Sequence, residues 1–384
     1  MKELIIKIIS RIFKFISSCV PKNKNLWVFG AWRGELYSDN TKYLYEYMNE
    51  HHKEVNTVWI SKQPQIVNYV RNLGYNAEYA YSFRGIITVL RAKYAFETEG
   101  SSDISSFVNN IYERNKTMQI LLWHGMGFKR LHIDDGSKKK NIYADSYWMG
   151  TSELYNKTTA EVYNVPLENF YTTGYPRNDI IIQRKENLNF EKIKQKYKGS
   201  KIILYMPTHR NYGQDGDCIT NITELIRLDK YFKDKNWVMI YKPHIHEMEN
   251  VSCAQKEFSN IIIAKDTEVF GDPYSYLSYC DLLISDYSSI ITDFACLNRP
   301  IIYYVFDLEY FKKNNILLPY FYNLPLGPFC HTWDEVLSEI NNAFSFDGWK
   351  VTRSKNSKNY HAFNDGHNCR RVYETMINSI YKIK

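Results

Sequence analysis

The sequence predicts an α/β protein built of two doubly wound, Rossmann-like domains. Short apolar, β-rich runs alternate with longer helical patterns, the sign of βαβ units and a parallel sheet. The runs fall into two sets, and 384 residues give room for two such domains. Hydrophobic residues at 44% and charged residues at 24% match an ordinary globular protein, so the core needs no disulfides.

In the first set the strand candidates are Leu26–Phe29, Thr57–Ile60, Tyr94–Glu97, Gln119–Trp123, Ser146–Met149 and Phe170–Thr172. In the second they are Lys201–Met206, Trp237–Tyr241, Asn260–Ala264, Asp281–Ile284 and Ile301–Val305. The charged stretch from Arg184 to Gly199 lies between the sets and reads as a helix with Gly at its C-cap. The division is therefore 21–185 and 186–384, with a terminal helix over Asp365 to Lys384.

Residues 1–20 stand apart. Lys7, Arg11 and Lys14 share one helical face, and Ile5, Ile8, Ile9, Ile12, Phe13 and Ile16 cover the rest. That pattern predicts an amphipathic helix lying on a membrane surface; the plain alternative packs it on the body of the protein. The charges interrupt the apolar run and no small-residue cleavage site follows, which argues against a secretory signal. No run of roughly 20 apolar residues occurs, so no transmembrane helix is expected.

The net charge of +7 is spread along the chain apart from Lys138 to Lys140. It suits a phosphate-bearing partner or a negative membrane surface. No helix-turn-helix, finger or RNA-binding signature occurs, so nucleic acid is not an expected partner. Seven Cys without a C-x-x-C pair indicate reduced thiols in a cytosolic protein, acting as small buried hydrophobes.

In open α/β sheets chemistry gathers at the C-terminal ends of strands, and the polar motifs follow the strand candidates. Ile284-Ser-Asp-Tyr-Ser-Ser-Ile-Ile-Thr-Asp293 reads as strand, turn and helix start. Its hydroxyls and free N–H groups at a helix N-terminus suit phosphate; alternatively Ser288 and Ser289 are helix caps. Asp293 lies one turn on and suits ligand hydroxyls. Trp123-His124-Gly125 places an imidazole, the usual base near neutral pH, beside a glycine that permits close approach; the plain alternative is a structural histidine. Gly174-Tyr-Pro-Arg177-Asn-Asp179 can aim a guanidinium at an anion, or form an interdomain turn. Thr208-His209-Arg210 suits a phosphate or polar acceptor. Lys242-Pro-His244-Ile-His246 pairs a cation with an imidazole across a rigid proline; without a clear third ligand it does not predict metal. Asp215-Gly-Asp217 sits in a Gly-rich polar loop and reads as a turn.

This ordered set resembles the CDP-glycerol glycerophosphotransferases of wall teichoic acid and capsule synthesis. Tyr37-Ser-Asp-Asn-Thr-Lys-Tyr43, Arg299-Pro-Ile, Asp307-Leu-Glu309, Gly327-Pro328 and Asp365-Gly366 with Arg371 extend it from about Leu26 to Arg371. The resemblance implies a glycosyltransferase-B arrangement and transfer of glycerol phosphate, or a related polyol phosphate such as ribitol phosphate, from a CDP-activated donor. The acceptor implied is a membrane-anchored, undecaprenyl-linked saccharide or polymer, and CMP leaves. No metal or other cofactor is expected, and the oligomeric state is left open, a homo-oligomer included.

By position, the resemblance makes His124 the base on the acceptor hydroxyl and His244 a contact to the donor diphosphate. Ser285, Asp286, Ser288, Ser289, Thr208 and Lys242 fall on the donor side. Arg177 and Arg210 are candidate anion clamps, and Asp293 a contact to polyol or ribose. Gly125 and Lys129 fall on the acceptor side. The family usually has a small polar residue and Pro after Trp-His-Gly; here Met126-Gly127-Phe128 stands there, and His209 replaces a common Trp. Both departures bear on the acceptor. The implied location is the cytoplasmic face of the bacterial membrane. Two other readings remain: a nucleotide-sugar glycosyltransferase, and a polymer-binding protein without catalysis, against which His124 and His244 speak.

Overall fold

A computed structural model describes residues 11–12, 15–105, 116–130, 143, 145–208, 222–243, 258–264 and 272–380. Most of the expected N-terminal helix, Lys138 to Lys140, Asp215 to Asp217, His209, Arg210, His244 and His246 lie outside the described residues.

The strands of the first half, in chain order, are β1 (Asn23–Phe29), β2 (Asn56–Ser61), β3 (Ala77–Tyr79), β4 (Ala92–Glu97), β5 (Met118–Leu121), β6 (Lys129–Arg130), β7 (Tyr147–Gly150) and β8 (Phe170–Thr172). Those of the second are β9 (Lys201–Tyr205), β10 (Trp237–Tyr241), β11 (Ile261–Ile263), β12 (Leu282–Ser285), β13 (Ile301–Tyr304), β14 (Ile316–Leu317) and β15 (Phe329–Cys330). One sheet has the order β3-β2-β1-β4-β5-β7-β8, the other β11-β10-β9-β12-β13-β15. The pairings within both are parallel. β6 and β14 form a separate antiparallel pair.

The chain order reverses between β1 and β4 in the first sheet and between β9 and β12 in the second. At such a switch the loops after adjacent strands diverge and leave a crevice at the strand C-termini. The loops after β1 and β4, and those after β9 and β12, therefore flank these crevices, with the loop after β5 next to the first.

Period-two packing explains why β1 is a strand. Trp27 and Phe29 enter one apolar cluster with Trp59, Tyr94, Phe96 and Ile120; Leu26 and Val28 enter another with Val58, Ile60, Val89 and Ala95. A strand covered on both sides reads as a continuous apolar run, as Leu26 to Phe29 does. Stacked rings consolidate the first cluster, with Phe29 and Phe96 centroids 4.7 Å apart. The second sheet is packed by Ile203, Tyr205, Met239, Ile284 and Ile302 against Leu225, Leu228, Phe232, Val336 and Ile340.

Contacts group the chain into two compact units. One takes Met1–His124, Ile133–Asp179 and Ala362–Lys384; the other takes Gly125–His132 and Ile180–His361. A linear cut at residue 185 cannot describe this, because the C-terminal helix Asn368–Thr375 sends Cys369 and Val372 into the core of the first unit. Among the described residues Cys280, Cys296, Cys330 and Cys369 are buried and Cys19 is exposed.

Candidate functional site

β5 ends at Leu121 rather than running to Trp123. Trp123 has φ 52° and Gly125 φ 147°, so His124 sits on a sharp turn that glycine makes accessible. Trp123 is anchored by ring contacts with Trp148, Tyr163 and Tyr143, at centroid distances of 5.0, 5.0 and 5.9 Å. The His124 ring lies between Trp123 and Trp32, 4.4 and 5.5 Å away. It remains partly open to solvent. Its Nδ1 is shielded and has no hydrogen-bond partner among the described residues.

Two side chains from the helix Asp39–His51 hold this turn. Asn40 Nδ2 donates to the carbonyls of Leu122 and Trp123, at 3.1 and 2.8 Å. Asp39 accepts from Arg177: its Oδ1 lies 2.7 Å from Nη1, and both side chains are buried. The same Arg177 Nη1 donates to the His124 carbonyl at 3.0 Å, and the Arg177 N–H donates to Asn40 Oδ1 at 3.2 Å. Arg177 thus meets an acid of its own chain rather than an open surface. The reading of Arg177 as an anion clamp gives way to that of a residue that positions the His124 turn.

The rest of Gly174 to Asp179 is used in the same way. Gly174 has φ +79°, and a Cβ there would come within 2.1 Å of Asn368 Oδ1. The Tyr175 carbonyl accepts from Asn368 Nδ2 at 2.9 Å. Asp179 accepts from the N–H groups of Asn368 and Cys369, both at 2.8 Å. A carboxylate facing the first N–H groups of a helix satisfies donors that have no partner within the helix. The motif therefore ties three segments together: the start of the helix Asp39–His51, the turn after β5 and the C-terminal helix.

The electrostatics at His124 are mixed. Desolvation is the largest influence and holds its pKa below the ordinary imidazole value; Asp39 and Glu99 pull it back up, Arg177 pushes it down and the Thr98 main chain favours the charged form. The loops on either side are fixed by Asp103, whose Oδ1 accepts from the Arg33 N–H at 2.7 Å. Its Oδ2 accepts from the N–H groups of Thr98 and Glu99 at 2.7 and 2.9 Å. The result is a ring biased toward the neutral form with one edge exposed, the state a general base needs.

In the second unit, Asp286 is buried and accepts from the Thr208 N–H at 2.9 Å, the Thr208 hydroxyl at 2.6 Å and the Tyr287 N–H at 2.6 Å. It joins the loops after β9 and β12, the two strands at the switch. Asp286 was read as a donor contact; its position is that of a brace holding Thr208. Ser285 is buried too, donating to the Met206 carbonyl at 2.6 Å. The Tyr287 hydroxyl donates to Asp307 at 3.0 Å, and its ring stacks on Phe311 at 3.6 Å.

Ser288 and Ser289 stay partly exposed. Ser289 has helical φ/ψ and makes no side-chain cap bond, and Ser288 Oγ accepts from Ile290 N–H at a long 3.4 Å. Neither serine is a well-formed cap. The following helix is short, Ile290–Ala295, and carries Asp293 in a buried position. Lys242 follows β10 and is almost fully buried. Arg210 and His244 lie outside the described residues, so this half is described through Thr208, Ser285, Asp286, Ser288 and Ser289.

Met126 and Phe128, the departures after Trp123-His124-Gly125, are buried. Phe128 packs among the rings of Tyr303, Tyr320, Phe321 and Tyr360, at 5.3–6.3 Å. They are core substitutions, so their difference from the family pattern is a packing matter. Lys129 is partly exposed, with its ammonium 5.7 Å from the Phe311 ring.

Asp39 and Asn40 were missed as site residues. The signal was present in Tyr37 to Tyr43, but an Asp and Asn at a helix start read most simply as caps. What sets Asp39 apart is φ +68°, which a sequence does not display.

The likeness to known proteins is consistent across sequence and fold. A teichoic acid poly(glycerol phosphate) polymerase of Bacillus spizizenii is 26% identical over 377 residues, covering 90% of each chain. A teichoic acid glycerol-phosphate transferase of Staphylococcus aureus is 27% identical over 331 residues, covering 80% of each. A teichoic acid ribitol-phosphate primase of B. spizizenii is 23% identical over 399 residues, covering 97% of each. Among solved structures the wall teichoic acid polymerase TagF superposes with a TM-score of 0.76 at 19% identity, covering 99% of this chain and 96% of that one. An S. aureus MnaA–UDP structure superposes at 0.60 with 11% identity, covering 93% and 97%. The model of the family described as CDP-glycerol:poly(glycerophosphate) glycerophosphotransferase matches residues 12–378, and the chain belongs to that family.

Proposed function

We propose that this protein transfers a polyol phosphate, glycerol phosphate or ribitol phosphate, from a CDP-activated donor to a hydroxyl of a membrane-anchored, undecaprenyl-linked saccharide or polymer, releasing CMP. The reaction serves teichoic acid or capsule synthesis and uses no metal. The observation that carries this is His124: a partly open imidazole, biased neutral by desolvation, on a turn braced by Asn40 and Arg177. His124 takes the proton of the acceptor hydroxyl. The oxygen then attacks the donor's β-phosphorus, the new O–P bond forms as the bond to CMP breaks, and CMP carries the released charge. On the donor side Ser288 and Ser289 offer hydroxyls not consumed by capping, and Thr208 is held in place by Asp286. His244 and Arg210 take the diphosphate by family resemblance. The strand orders and the two-sided packing of β1 support the finer reading of two doubly wound domains of the glycosyltransferase-B type.

Purified protein supplied with a lipid-linked acceptor is expected to release CMP from CDP-glycerol or CDP-ribitol, unchanged by EDTA. Release of UDP or GDP from a nucleotide-sugar instead would support sugar transfer, the reading favoured by the fold's likeness to the MnaA–UDP structure. The same assay, with product length measured, separates one-unit addition from polymerisation.

The protein acts at the cytoplasmic face of the membrane as a peripheral enzyme. No described helix is long and apolar enough to cross a membrane. Ile12, Phe15 and Ile16 are exposed. Nearby, burial and repulsion from Lys116 and Lys93 push the Lys22 pKa down to about 8. Burial, Lys24 and Lys116 lower that of Lys93. β1 and β4 pair at Asn23 and Ala92, so these lysines gather at the N-terminal ends of neighbouring strands in the sheet interior. An anionic bilayer relieves that repulsion. Co-sedimentation with phosphatidylglycerol vesicles is expected to weaken about thirtyfold in the double variant Lys24→Glu, Lys116→Glu, at about 1 kcal/mol per basic residue. Undiminished binding would remove this surface from the proposal.

A further inference from the structure

We infer that the second unit carries a saccharide-binding site apart from the loops that the reaction uses: a cavity of about 440 Å³ walled by Phe346 and Trp349 and edged by Glu339 and Asn342. The residues that line it run from Pro300 to Arg353, all within that unit. The inference does not rest on the assignment of the reaction.

The cavity lies at the far end of the sheet from the donor loops. Its floor is Pro300, Ile301 and Ile302 at the start of β13, with Pro328 just before β15. These strands belong to a parallel sheet, so the loops after β9 and β12 leave it at the opposite, C-terminal ends. β15 approaches β13 closely because Gly327 precedes it; a Cβ there would come within 1.8 Å of the Ile301 carbonyl oxygen. The prolines bring no N–H. Their carbonyls already accept from the N–H groups of Leu283 and Tyr303, at 3.0 and 2.9 Å. Recognition therefore falls to the side chains around an apolar floor.

Arg353, in the helix Lys350–Tyr360, holds the walls. Its side chain is fully buried and donates to both carboxylate oxygens of Asp347, Nη1 at 3.3 Å. Nη2 also donates to the Asn298 carbonyl at 3.0 Å. Its Nε has no partner among the described residues, a shielded donor that calls for an acceptor those residues do not supply. The turn from Phe346 to Trp349 closes through Gly348 N–H to the Phe346 carbonyl at 2.9 Å and Arg353 N–H to the Trp349 carbonyl at 2.8 Å. Both rings are thus carried on a braced turn, and Phe346 is 81% exposed. An apolar ring held in water at the edge of a cavity gains from being covered.

Charge decides the class of ligand. Two carboxylates, Glu339 and Asp347, line the cavity with one guanidinium, which Asp347 already pairs. Phosphate would meet the remaining negative charge and is disfavoured. Asn342 Nδ2 donates to Glu339 Oε1 at 3.2 Å, so an amide and a carboxylate stand together. A wholly apolar ligand would strip water from them and return no hydrogen bonds. Sugar hydroxyls both donate and accept, which suits carboxylate and amide alike. The C–H faces of a sugar ring suit the aromatic and proline walls. A saccharide meets these demands together, and the volume has room for roughly a disaccharide.

The test uses the purified full chain with cellobiose and N,N′-diacetylchitobiose as probes, followed by saturation-transfer NMR. Binding of at least one is expected, with a Kd of about 1 mM. Phe346→Ala and Glu339→Gln are each expected to weaken it about tenfold. Neither side chain is in the core, so thermal unfolding should not move and a loss of binding is not a loss of fold. No transfer to either disaccharide at about 10 mM would overturn the inference. So would binding that neither variant weakens, because the sugar would then sit elsewhere. Displacement of the disaccharide by inorganic phosphate would overturn the class of ligand.

Discussion

The His124→Ala variant is expected to lose CMP release from CDP-glycerol and CDP-ribitol by at least 100-fold while keeping its fold. A positioned general base typically contributes 10²–10⁴ in rate, roughly 3–5 kcal/mol of transition-state stabilisation. The fold is spared because truncation leaves no partner stranded. The scaffold reaches the turn through the His124 carbonyl, which alanine retains, and the adjoining bonds are to the carbonyls of Leu122 and Trp123. What is lost is ring contact with Trp123 and Trp32, about 1 kcal/mol at such distances. Thermal unfolding is expected to shift by only a few degrees. The wild-type pH profile carries a second signature. A base works when neutral, and burial holds this one below the ordinary imidazole value. Activity is therefore expected to persist below about pH 6.5 and to fall only under more acidic conditions. Full turnover by the alanine variant would sink the base assignment; a rate falling already between pH 8 and 7 would contradict the environment described for the ring.

Much of the fold was legible because burial leaves a mark on sequence. Each strand candidate overlaps an observed strand, since strands packed on both faces read as apolar runs. β3 was not legible: Ala77-Glu-Tyr79 is three residues with a charge in the middle. β6, β14 and β15 are two residues each, too short for any periodicity. The site was legible in its residues more than in its roles. Arg177 and Asp286 were marked as polar residues after strands, but their partners, Asp39 and Thr208, lie 138 and 78 positions away. Local sequence carries no record of such pairings. The same holds for Met126 and Phe128, which look like altered ligand contacts until their side chains are found in the core.

Arg177→Met is expected to destabilise the protein by about 3–5 kcal/mol, because it leaves the Asp39 carboxylate buried and unpaired. The arginine side chain is 0% exposed and its partner 1%, so water cannot take over the lost bond. At roughly 2–4 °C per kcal/mol for domains of this size, the unfolding midpoint should fall by about 10 °C. Arg177→Lys keeps the charge but not the fixed planar guanidinium whose Nη1 donates to both Asp39 and the His124 carbonyl, so it should recover only part of the loss. The combination Arg177→Met with Asp39→Asn should cost less than the two single changes added, since the second removes the charge that the first stranded. An arginine that clamped a ligand anion would behave otherwise: Arg177→Met would raise KM for the CDP-polyol and leave unfolding unchanged. Thermal unfolding and KM measured on the same three variants therefore separate a brace from a clamp, and a stable Arg177→Met enzyme with raised KM would return Arg177 to the substrate.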